Sequence, residues 1–335
     1  MDPIPTARQV LNCQIHEWYP RHRRWTIRSD IIDLSRAFLE YLNEDAFFLP
    51  PGARDSLHAD DDDADSDASW SSDSVSAEET RADPFPEVDL IRNSINKLNG
   101  AVFPKLNWSC PRDATWIACT GTLKCVTPGD VLLLLKASEF IQHDLTQPFE
   151  TCSDDGHPAD SIQYKLCLRQ WVDIQTSREF RCFIIRRALA AVSQRDHANF
   201  YPSLQDDGVI DRIRLAIQEF FTARVLDNFP DDDFVMDVYI GPDNMVVLID
   251  FNPFSLVTDS LLFDWPELYD MKANLDETQV LAEFRICHEQ PAMTPASTMS
   301  YGFPKDITHV RSAADIDRFA AMASTLSQVD DDNNI

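Results

Sequence analysis

Glycine is scarce in this chain, with only eight in 335 residues. Neither a GxGxxG nor a Walker A pattern occurs, which excludes the glycine-lined phosphate cradle of many nucleotide-binding proteins. Long apolar runs are also missing: the run at residues 131–135 stops at Lys136, whereas a bilayer-crossing helix needs about 20 apolar residues. The first residues lack the basic-then-apolar order of a signal peptide. We therefore expect no membrane segment.

The cysteines and histidines form no recognisable set. No CxxC and no His/Cys cluster at zinc spacing occurs, so a zinc site is not indicated. Signatures of serine hydrolases and of Cys–His nucleophiles are missing as well. We expect reduced, buried thiols in a cytoplasmic protein. The eight cysteines are Cys13, Cys110, Cys119, Cys125, Cys152, Cys167, Cys182 and Cys287.

Basic residues are few, 29 Lys and Arg against 56 Asp and Glu, and the formal net charge is −27. This charge argues against nucleic acid or an anionic membrane as the main partner. Residues 55–80 contain ten acids and no Lys or Arg, and residues 330–332 add three more acids. The remainder still carries about −14. An acidic folded body favours a basic protein partner, or simply good solubility.

Residues 53–83 are of low complexity, with Asp and Ser around a single Trp70. Such a segment cannot bury enough apolar surface to offset the entropy of ordering it, so we expect a disordered acidic loop. Its serines lie among acids and are candidates for an acid-directed kinase; a plain solvated spacer is the alternative. We also expect a weakly structured stretch at 272–300, a helical segment at 301–327 and an acidic tail at 328–335.

Helix-type and strand-type patterns alternate through the rest of the chain. Apolar residues at helical spacing over 87–98 end at Asn99-Gly100, a typical helix stop. Residues 241–244 form a tight-turn sequence between two apolar runs, which predicts an antiparallel hairpin over 234–252. The mixture predicts an α+β or α/β fold. Further helices are predicted at 131–140 and 207–225, and strands at 101–106, 162–168, 179–185 and 189–193.

The predicted hairpin carries the most informative residues. Each of its two apolar runs contains one acid, Asp237 or Asp250, and Asn252 follows two residues after the second acid. Residues two apart in a strand point to the same face, so Asp250 and Asn252 project together, and Asp237 can face the same place. Hard oxygen ligands on a rigid sheet suit Mg²⁺. The alternative is that these acids are solvent-facing, or that Asp250 holds a turn.

Several basic residues lie at or just after predicted strands of this acidic protein. Lys105 ends a short strand and can reach a nucleotide phosphate, and Arg112 can bind a phosphate or a carboxylate. The strand at 166–171 either frames an adenine or is an ordinary core strand with a capping Trp171. A surface lysine and alternating charges on a solvated sheet face are the alternatives to a shared anion site. The residues proposed to share that site are Lys105, Arg169, Arg181 and Arg195.

Seven motifs run through the chain in a fixed order: WYP at 18–20, FPKLNWS at 103–109, TQPF at 146–149, EFRCF at 179–183, SQRD at 193–196, LIDFNPF at 248–254 and VTDSLLF at 257–263. Together they resemble the cell division cycle protein 123 family. The resemblance covers nearly the whole chain, including the acidic loop near residue 60. One departure is Cys110, where relatives often carry the similarly small Ala. The 272–300 region diverges, which leaves partner contacts there open.

The resemblance implies an ATP-grasp fold, in which two α+β lobes with antiparallel sheets enclose ATP. Residues 1–52 and 84–160 would form the first lobe with its phosphate-binding loop, and residues 161–271 the C-terminal lobe with the Mg²⁺–ATP site. The resemblance also implies an assembly chaperone for eukaryotic translation initiation factor 2. Such a chaperone binds the gamma subunit, promotes assembly of the heterotrimer, and supports translation initiation and cell-cycle progression. We expect a monomer before it binds this client.

The resemblance also assigns roles to individual residues around ATP and Mg²⁺. An ATP-grasp carboxylate–amine ligase acting through an acyl-phosphate is the alternative function, and a scaffold that has lost its nucleotide is a third. The intact ligand set argues against the scaffold. In this assignment Lys105 binds phosphate, Trp108, Cys110, Arg112 and Asp113 form the loop over the nucleotide, Arg169 and Trp171 belong to the hinge, Arg181 and Gln194 to the pocket floor, and Asp237, Asp250 and Asn252 hold Mg²⁺–ATP.

Overall fold

Two sheets, one of three strands and one of five, carry the fold of this chain. The computed structural model describes residues 4–44, 48–53, 85–154, 162–274 and 281–289. The expectations for nearly all of 53–83, for 301–327 and for 328–335 lie outside these residues. Within them, no helix is long and apolar enough to span a bilayer.

Short polar side chains start most helices of the first half. Thr6 and Thr127 each close a capping box with the residue three positions on, and Ser35 and Ser138 accept a backbone N–H of the first turn. The elements of this half are α1 (Ala7–Asn12), α2 (Ile15–His22), β1 (Ser29–Asp33), α3 (Arg36–Asn43), α4 (Pro86–Lys97), β2 (Val102–Lys105), α5 (Pro128–Ala137), α6 (Glu139–Thr146) and β3 (Lys165–Gln170).

The three-stranded sheet has the order β1-β3-β2 and is antiparallel throughout. Because β2 is an edge strand, Pro104 can lie in it without interrupting a ladder on both sides. The register places Lys105 opposite Cys167 and Phe103 opposite Arg169. Helices α3 to α6 cover this sheet, and their apolar residues form one core with Val102, Leu166 and Leu168.

The second half of the chain forms the five-stranded sheet and two helices. Its elements are β4 (Glu179–Ile185), β5 (Ala188–Gln194), α7 (Asp207–Phe220), β6 (Phe234–Ile240), β7 (Val246–Pro253), α8 (Trp265–Asn274) and β8 (Glu283–Arg285). The sheet has the order β7-β6-β4-β5-β8, in which only the short β8 runs parallel to its neighbour. Alternate residues of its strands face opposite sides, so α2 and α7 pack on one face and α8 on the other.

The α+β class and the antiparallel hairpin are confirmed. The single helix predicted at 131–140 is wrong, because Ser138 has an extended backbone that ends α5 and caps α6. The helix predicted at 207–225 is α-helical to Phe220 and continues as one π-helical turn over Phe221–Val225. All of its predicted inward residues are buried: Ile210, Ile213, Ile217, Phe220 and Phe221.

The predicted lobe limits stay a prediction, and two observations concern them. β3 pairs with β1 and β2, so the three-stranded sheet includes residues beyond position 160. The stretch at 272–300 includes the end of α8 and the strand β8, which joins the larger sheet.

All eight cysteines are free thiols, and five are buried; Cys119 is exposed, and Cys110 and Cys152 are half-buried.

Candidate functional site

The hairpin of β6 and β7 holds the two predicted acids side by side. Asp237 and Asp250 are register partners, and a bulge follows between Asp237 and Val238. The turn closes where the Gly241 N–H donates to the Met245 carbonyl at 2.8 Å, with Asn244 in the left-handed region at φ 58°. The hairpin therefore fixes the backbone from which both carboxylates project.

Asp237 is enclosed by guanidinium groups. Arg181, opposite it on β4, donates from Nε and Nη2 to the two carboxylate oxygens, each at 2.8 Å. Arg195 Nε lies 3.6 Å from Asp237 Oδ2. Burial acts to raise the pKa of Asp237, but Arg181 and Arg195 outweigh it, so the pKa lies well below its ordinary value. Asp237 is therefore ionised and paired through both oxygens.

Lys105 and Asp250 form an ion pair between the two sheets. Lys105 ends β2, and its Nζ lies 2.7 Å from Asp250 Oδ2 on β7. The ammonium also donates to the Trp108 carbonyl. Burial acts to lower the pKa of Lys105, but Asp250 outweighs this effect and raises it. Only 2% of Lys105 is exposed, so the alternative interpretation of Lys105 as a surface lysine is wrong.

Beside this ion pair, polar atoms are buried without partners among the described residues. Asp250 Oδ1, Asn252 Nδ2 and Ser255 Oγ make no hydrogen bond. The first two lie two residues apart on β7 and share its face, as predicted. Unpaired buried polar atoms cost free energy, which a ligand that bonds to them recovers. The unpartnered Asp250 oxygen thus fits a metal ion, and the unpartnered Asn252 nitrogen, which is a donor, fits a phosphate oxygen.

The metal prediction for Asp237 fits less well than that for Asp250 and Asn252. Both oxygens of Asp237 are already bonded to Arg181. In the part of the chain that the structure describes, no three His, Cys, Asp or Glu residues are grouped closely enough to hold a metal. Asp237 would have to exchange a guanidinium for the ion, so its role as a metal ligand stays a prediction.

The loop after β2 carries four predicted site residues. Trp108 donates from its indole to the Val10 carbonyl at 2.8 Å, and its own carbonyl accepts Lys105. Cys110 is half-buried and lies near Lys105. Arg112 is exposed, and its charge reaches Asp237 on the other sheet. Asp113 is committed locally, because its oxygens accept Ser138 Oγ at 2.6 Å and the Glu139 N–H at 2.7 Å.

Asp144 on α6 fixes this loop. Its carboxylate accepts the Ser109 N–H at 2.8 Å, Ser109 Oγ at 2.9 Å and the Trp108 N–H at 3.4 Å. Burial raises the pKa of Asp144 to about 6, although the bonds from Ser109 and the charge of Lys105 oppose the shift. The sequence missed this residue because its local pattern is that of an ordinary helix.

The predicted hinge residues lie on and just after β3. Arg169 is buried and donates to the Ile249 carbonyl at 2.8 Å and to Thr26 Oγ1 at 2.9 Å, so it bridges the two sheets. Trp171 donates from its backbone to the Ala101 carbonyl at 2.9 Å and packs edge-on against Phe103. A hinge position is consistent with both, and the role in adenine binding stays a prediction.

Gln194, predicted in the pocket floor, lies at the end of β5. Its Nε2 donates to the Asn199 carbonyl at 2.7 Å, and its Oε1 accepts the Cys287 N–H at 3.1 Å. Gln194 therefore ties the loop after β5 to Cys287, just after the strand β8.

The structure brings Lys105, Asp250 and Asn252 together, and places Arg181, Arg195 and Asp237 next to them. Asp113 and Gln194 instead make hydrogen bonds within neighbouring loops.

The chain is similar to several known proteins. The family model D123 matches residues 18–311. A translation initiation factor eIF2 assembly protein of Xenopus tropicalis is 41% identical over 315 residues, which cover 92% of this chain and 93% of that protein. The cell division cycle protein 123 of Aspergillus terreus is 41% identical over 283 residues, 81% of this chain and 65% of that protein. The structure of Cdc123 from Schizosaccharomyces pombe has a TM-score of 0.69 and 37% identity, and covers 86% of this chain and 100% of that one.

Proposed function

This chain belongs to the D123 family, the cell division cycle protein 123 family that its motifs resemble, and we propose that it is an ATP- and Mg²⁺-binding assembly factor for eukaryotic translation initiation factor 2. Its direct client is the gamma subunit, which it readies to join the other subunits. The observation that carries the nucleotide site is the buried Lys105–Asp250 pair between the sheets, flanked by the unpartnered atoms of Asp250 and Asn252.

Basic side chains supply the phosphate end of the proposed site. Lys105 comes from the smaller sheet, whereas Arg181 and Arg195 come from the larger one. A triphosphate bound to Lys105 would compensate the charge of its ammonium in place of Asp250. The Lys105–Asp250 ion pair would then no longer be needed. Because the ligand contacts residues of both sheets, it stabilises their native arrangement by mass action.

The metal end of the proposed site is β7. Asp250 supplies a carboxylate whose Oδ1 makes no hydrogen bond among the described residues, and Asn252 supplies an amide on the same face. Mg²⁺ takes one or two protein oxygens and completes its shell with phosphate and water. Asp250 and Asn252 would hold the ion there, and the ion would neutralise phosphate charge.

The assembly function rests on the relatives. Proteins named as eIF2 assembly proteins are 41% identical to this chain over nearly its whole length. The net charge of −27 favours a client with a basic surface, since complementary charges speed encounter and suppress wrong partners. A monomeric state, a cytoplasmic location and an ATP-grasp assignment of the two lobes belong to the same proposal.

The assembly proposal is tested by pull-down of the isolated gamma subunit with the full chain. We expect a complex whose yield falls as salt rises from 0.1 to about 0.5 M, because screening shortens the reach of surface charges. The isolated alpha subunit is the control and should not be retained. Retention of no subunit, with or without Mg²⁺–ATP, would contradict the proposed client.

A further inference from the structure

Exposed arginines surround Trp25 where α2 ends. The Trp25 N–H donates to the His22 carbonyl at 2.8 Å and closes a turn. Arg23 and Arg24 are the middle residues of this turn, and both are exposed. The guanidinium of Arg224, from the π-helical turn, lies 4.7 Å from the centre of the Trp25 ring. We call Arg21, Arg23, Arg24 and Arg224, together with Trp25, the arginine cluster.

The backbone under the arginine cluster is held in place. The Trp25 carbonyl accepts the Leu248 N–H at 2.7 Å, and Thr26 Oγ1 donates to the Leu248 carbonyl at 2.7 Å, which fixes the turn on the edge strand β7. Asn228 Nδ2 donates to the Arg224 carbonyl at 3.0 Å. On the side of the cluster, the backbone is therefore already in place, and only the arginine side chains have to become ordered when a ligand binds.

The positive charge of the arginine cluster is uncompensated. Several other exposed cations have an acid beside them, as in the pairs Arg36–Glu40 and Arg92–Asp89. Across the described ranges, no carboxylate oxygen lies within 4.0 Å of a cluster guanidinium. Four neighbouring like charges repel one another, so a bound anion gains their combined attraction. In a chain of net charge −27, this surface concentrates four exposed arginines for which the described residues show no ion pair.

We propose that the arginine cluster is the docking site of this chain's own acidic segment, residues 55–80. The segment contains ten acids and no Lys or Arg, so its charge is complementary. It also contains Trp70, an aromatic ring on which a guanidinium can stack. The net charge of the chain repels large external polyanions, whereas a segment of the same chain is already present at high effective concentration.

The ends of the segment lie within reach of the arginine cluster. Residues 54–84 connect Ala53 to Phe85, and α4 then leads from Pro86 to Lys97 over about 18 Å. Lys97 Nζ lies 2.5 Å from Asp30 Oδ1, five residues along the chain from Trp25. Half of the 31 connecting residues spans up to about 50 Å when extended. The connection is therefore long enough for the acids to meet the cluster.

The test places a photo-crosslinking amino acid, p-benzoylphenylalanine, at position 70 of the full chain. After irradiation, a protease that cleaves at acidic residues releases residues 18–30 and 220–227, which together contain the whole cluster. We expect crosslinks from position 70 to these two peptides. Their summed yield should fall at least about fivefold at 0.5 M salt and in the double variant Arg23→Glu/Arg24→Glu, because both changes weaken the attraction. For this variant the sum includes the shorter fragments that its two new cleavage sites release from residues 18–30.

The matched control is Lys124→Glu/Arg212→Glu, which changes the net charge equally at two exposed cations without a carboxylate partner in the described part of the chain. It should leave the yield unchanged. The neutral variant Arg23→Gln/Arg24→Gln keeps the test valid where charge reversal disturbs folding. Three results would each overturn the proposal: crosslinks mainly to other peptides, a yield insensitive to both cluster variants, or a yield that falls on dilution, which indicates contact between copies. The proposal is independent of nucleotide or client binding.

Discussion

The two acids of the hairpin are register partners, yet their surroundings differ. Asp237 bonds through both oxygens to Arg181 and has Arg195 at 3.6 Å. Asp250 bonds through one oxygen to Lys105, while its other oxygen has no hydrogen-bond partner among the described residues. The first acid satisfies two buried cations, and the second keeps an atom available for a ligand. Identical residues on paired strands therefore differ in their surroundings: Asp237 is fully paired with guanidinium groups, whereas Asp250, which we propose binds the ligand, keeps one oxygen without a partner among the described residues.

The largest expected effect is on the stability of the Asp237 variant. Asp237→Asn leaves Arg181 and Arg195 buried without their anion, which should lower the free energy of unfolding by about 3–5 kcal/mol. Urea denaturation of the ligand-free protein measures it. Asp89→Asn, which removes an exposed pair with Arg92, is the control and should cost well under about 1 kcal/mol. Equal costs for the two variants would show that Asp237 does not stabilise the fold.

The second prediction compares how Asp237 and Asp144, a buried acid without a guanidinium partner, make stability depend on pH. Because the folded-state pKa of Asp237 is depressed, its contribution to stability is full above about pH 4 and is lost as the pH falls further. Asp144 has its pKa raised to about 6, so its ionised form costs stability as the pH rises from about 4 to 6. The stability of Asp144→Asn relative to wild type should therefore increase over this range, by up to about 3 kcal/mol.

Urea midpoints from about pH 2 to 8 measure these differences for both variants, because the Asp237 contribution is lost only below about pH 4. The Asp237→Asn deficit should shrink toward the acid end, and the relative gain of Asp144→Asn should shrink there too. Curves that stay parallel to wild type would contradict the assignment of either carboxylate. Asp113→Asn is the matched control for Asp144, since Asp113 is also buried and bonded to backbone N–H groups near the same loop.

A smaller effect is expected for the second acid. Asp250→Asn leaves one buried cation, Lys105, without its anion, whereas Asp237→Asn leaves two. Because the amide keeps an acceptor for Lys105, the variant should lower the free energy of unfolding of the ligand-free protein by about 2–3 kcal/mol. The same variant should lose the rise in melting temperature that Mg²⁺–ATP gives the wild-type protein. Calorimetry with and without Mg²⁺–ATP measures both. A loss of stability as large as that of Asp237→Asn would remove the distinction between the two acids.

The smallest effect concerns the more distant guanidinium. Arg195 lies 3.6 Å from Asp237, beyond hydrogen-bond distance, and burial lowers the pKa of Arg195 to about 10 despite this acid. Arg195→Gln should therefore cost at most about 1 kcal/mol, whereas Arg181→Gln should cost several times more because it breaks two bonds. Urea denaturation compares the two, and an equal cost would show that Asp237 depends on its charge surroundings rather than on the bonds from Arg181.

Much of the fold follows from local sequence signals. The hairpin has a turn sequence and two apolar runs, and the helix stop at Asn99-Gly100 appears as two left-handed residues. The break at Ser138 was missed because apolar residues lie on both sides of it, at 131–135 and at 140–141, and the capping serine outweighs that pattern. The pairing of β3 with β1, residues more than 130 positions apart, has no local signal.

The candidate site was predictable to a similar degree. Asp250 and Asn252 share a face because strand geometry requires it, and Lys105 was found from its place at the end of a strand. That Lys105 pairs with Asp250, 145 residues away, depends on how the two sheets pack. The roles of Thr26 and Asp144 depend on the same packing, because each reaches a residue of a distant segment. Sequence patterns thus identified the ligand-type residues but not the residues that position them.

The proposed nucleotide site is tested most directly by isothermal titration of the full chain with Mg²⁺–ATP. We expect saturable one-to-one binding by the wild-type protein that is weakened at least about tenfold, or 1.4 kcal/mol, by Asp250→Asn and left unchanged by Asp89→Asn. Binding that is equal in the wild-type and Asp250→Asn proteins would place the nucleotide elsewhere. No binding by the wild-type protein at millimolar Mg²⁺–ATP would contradict the nucleotide site itself.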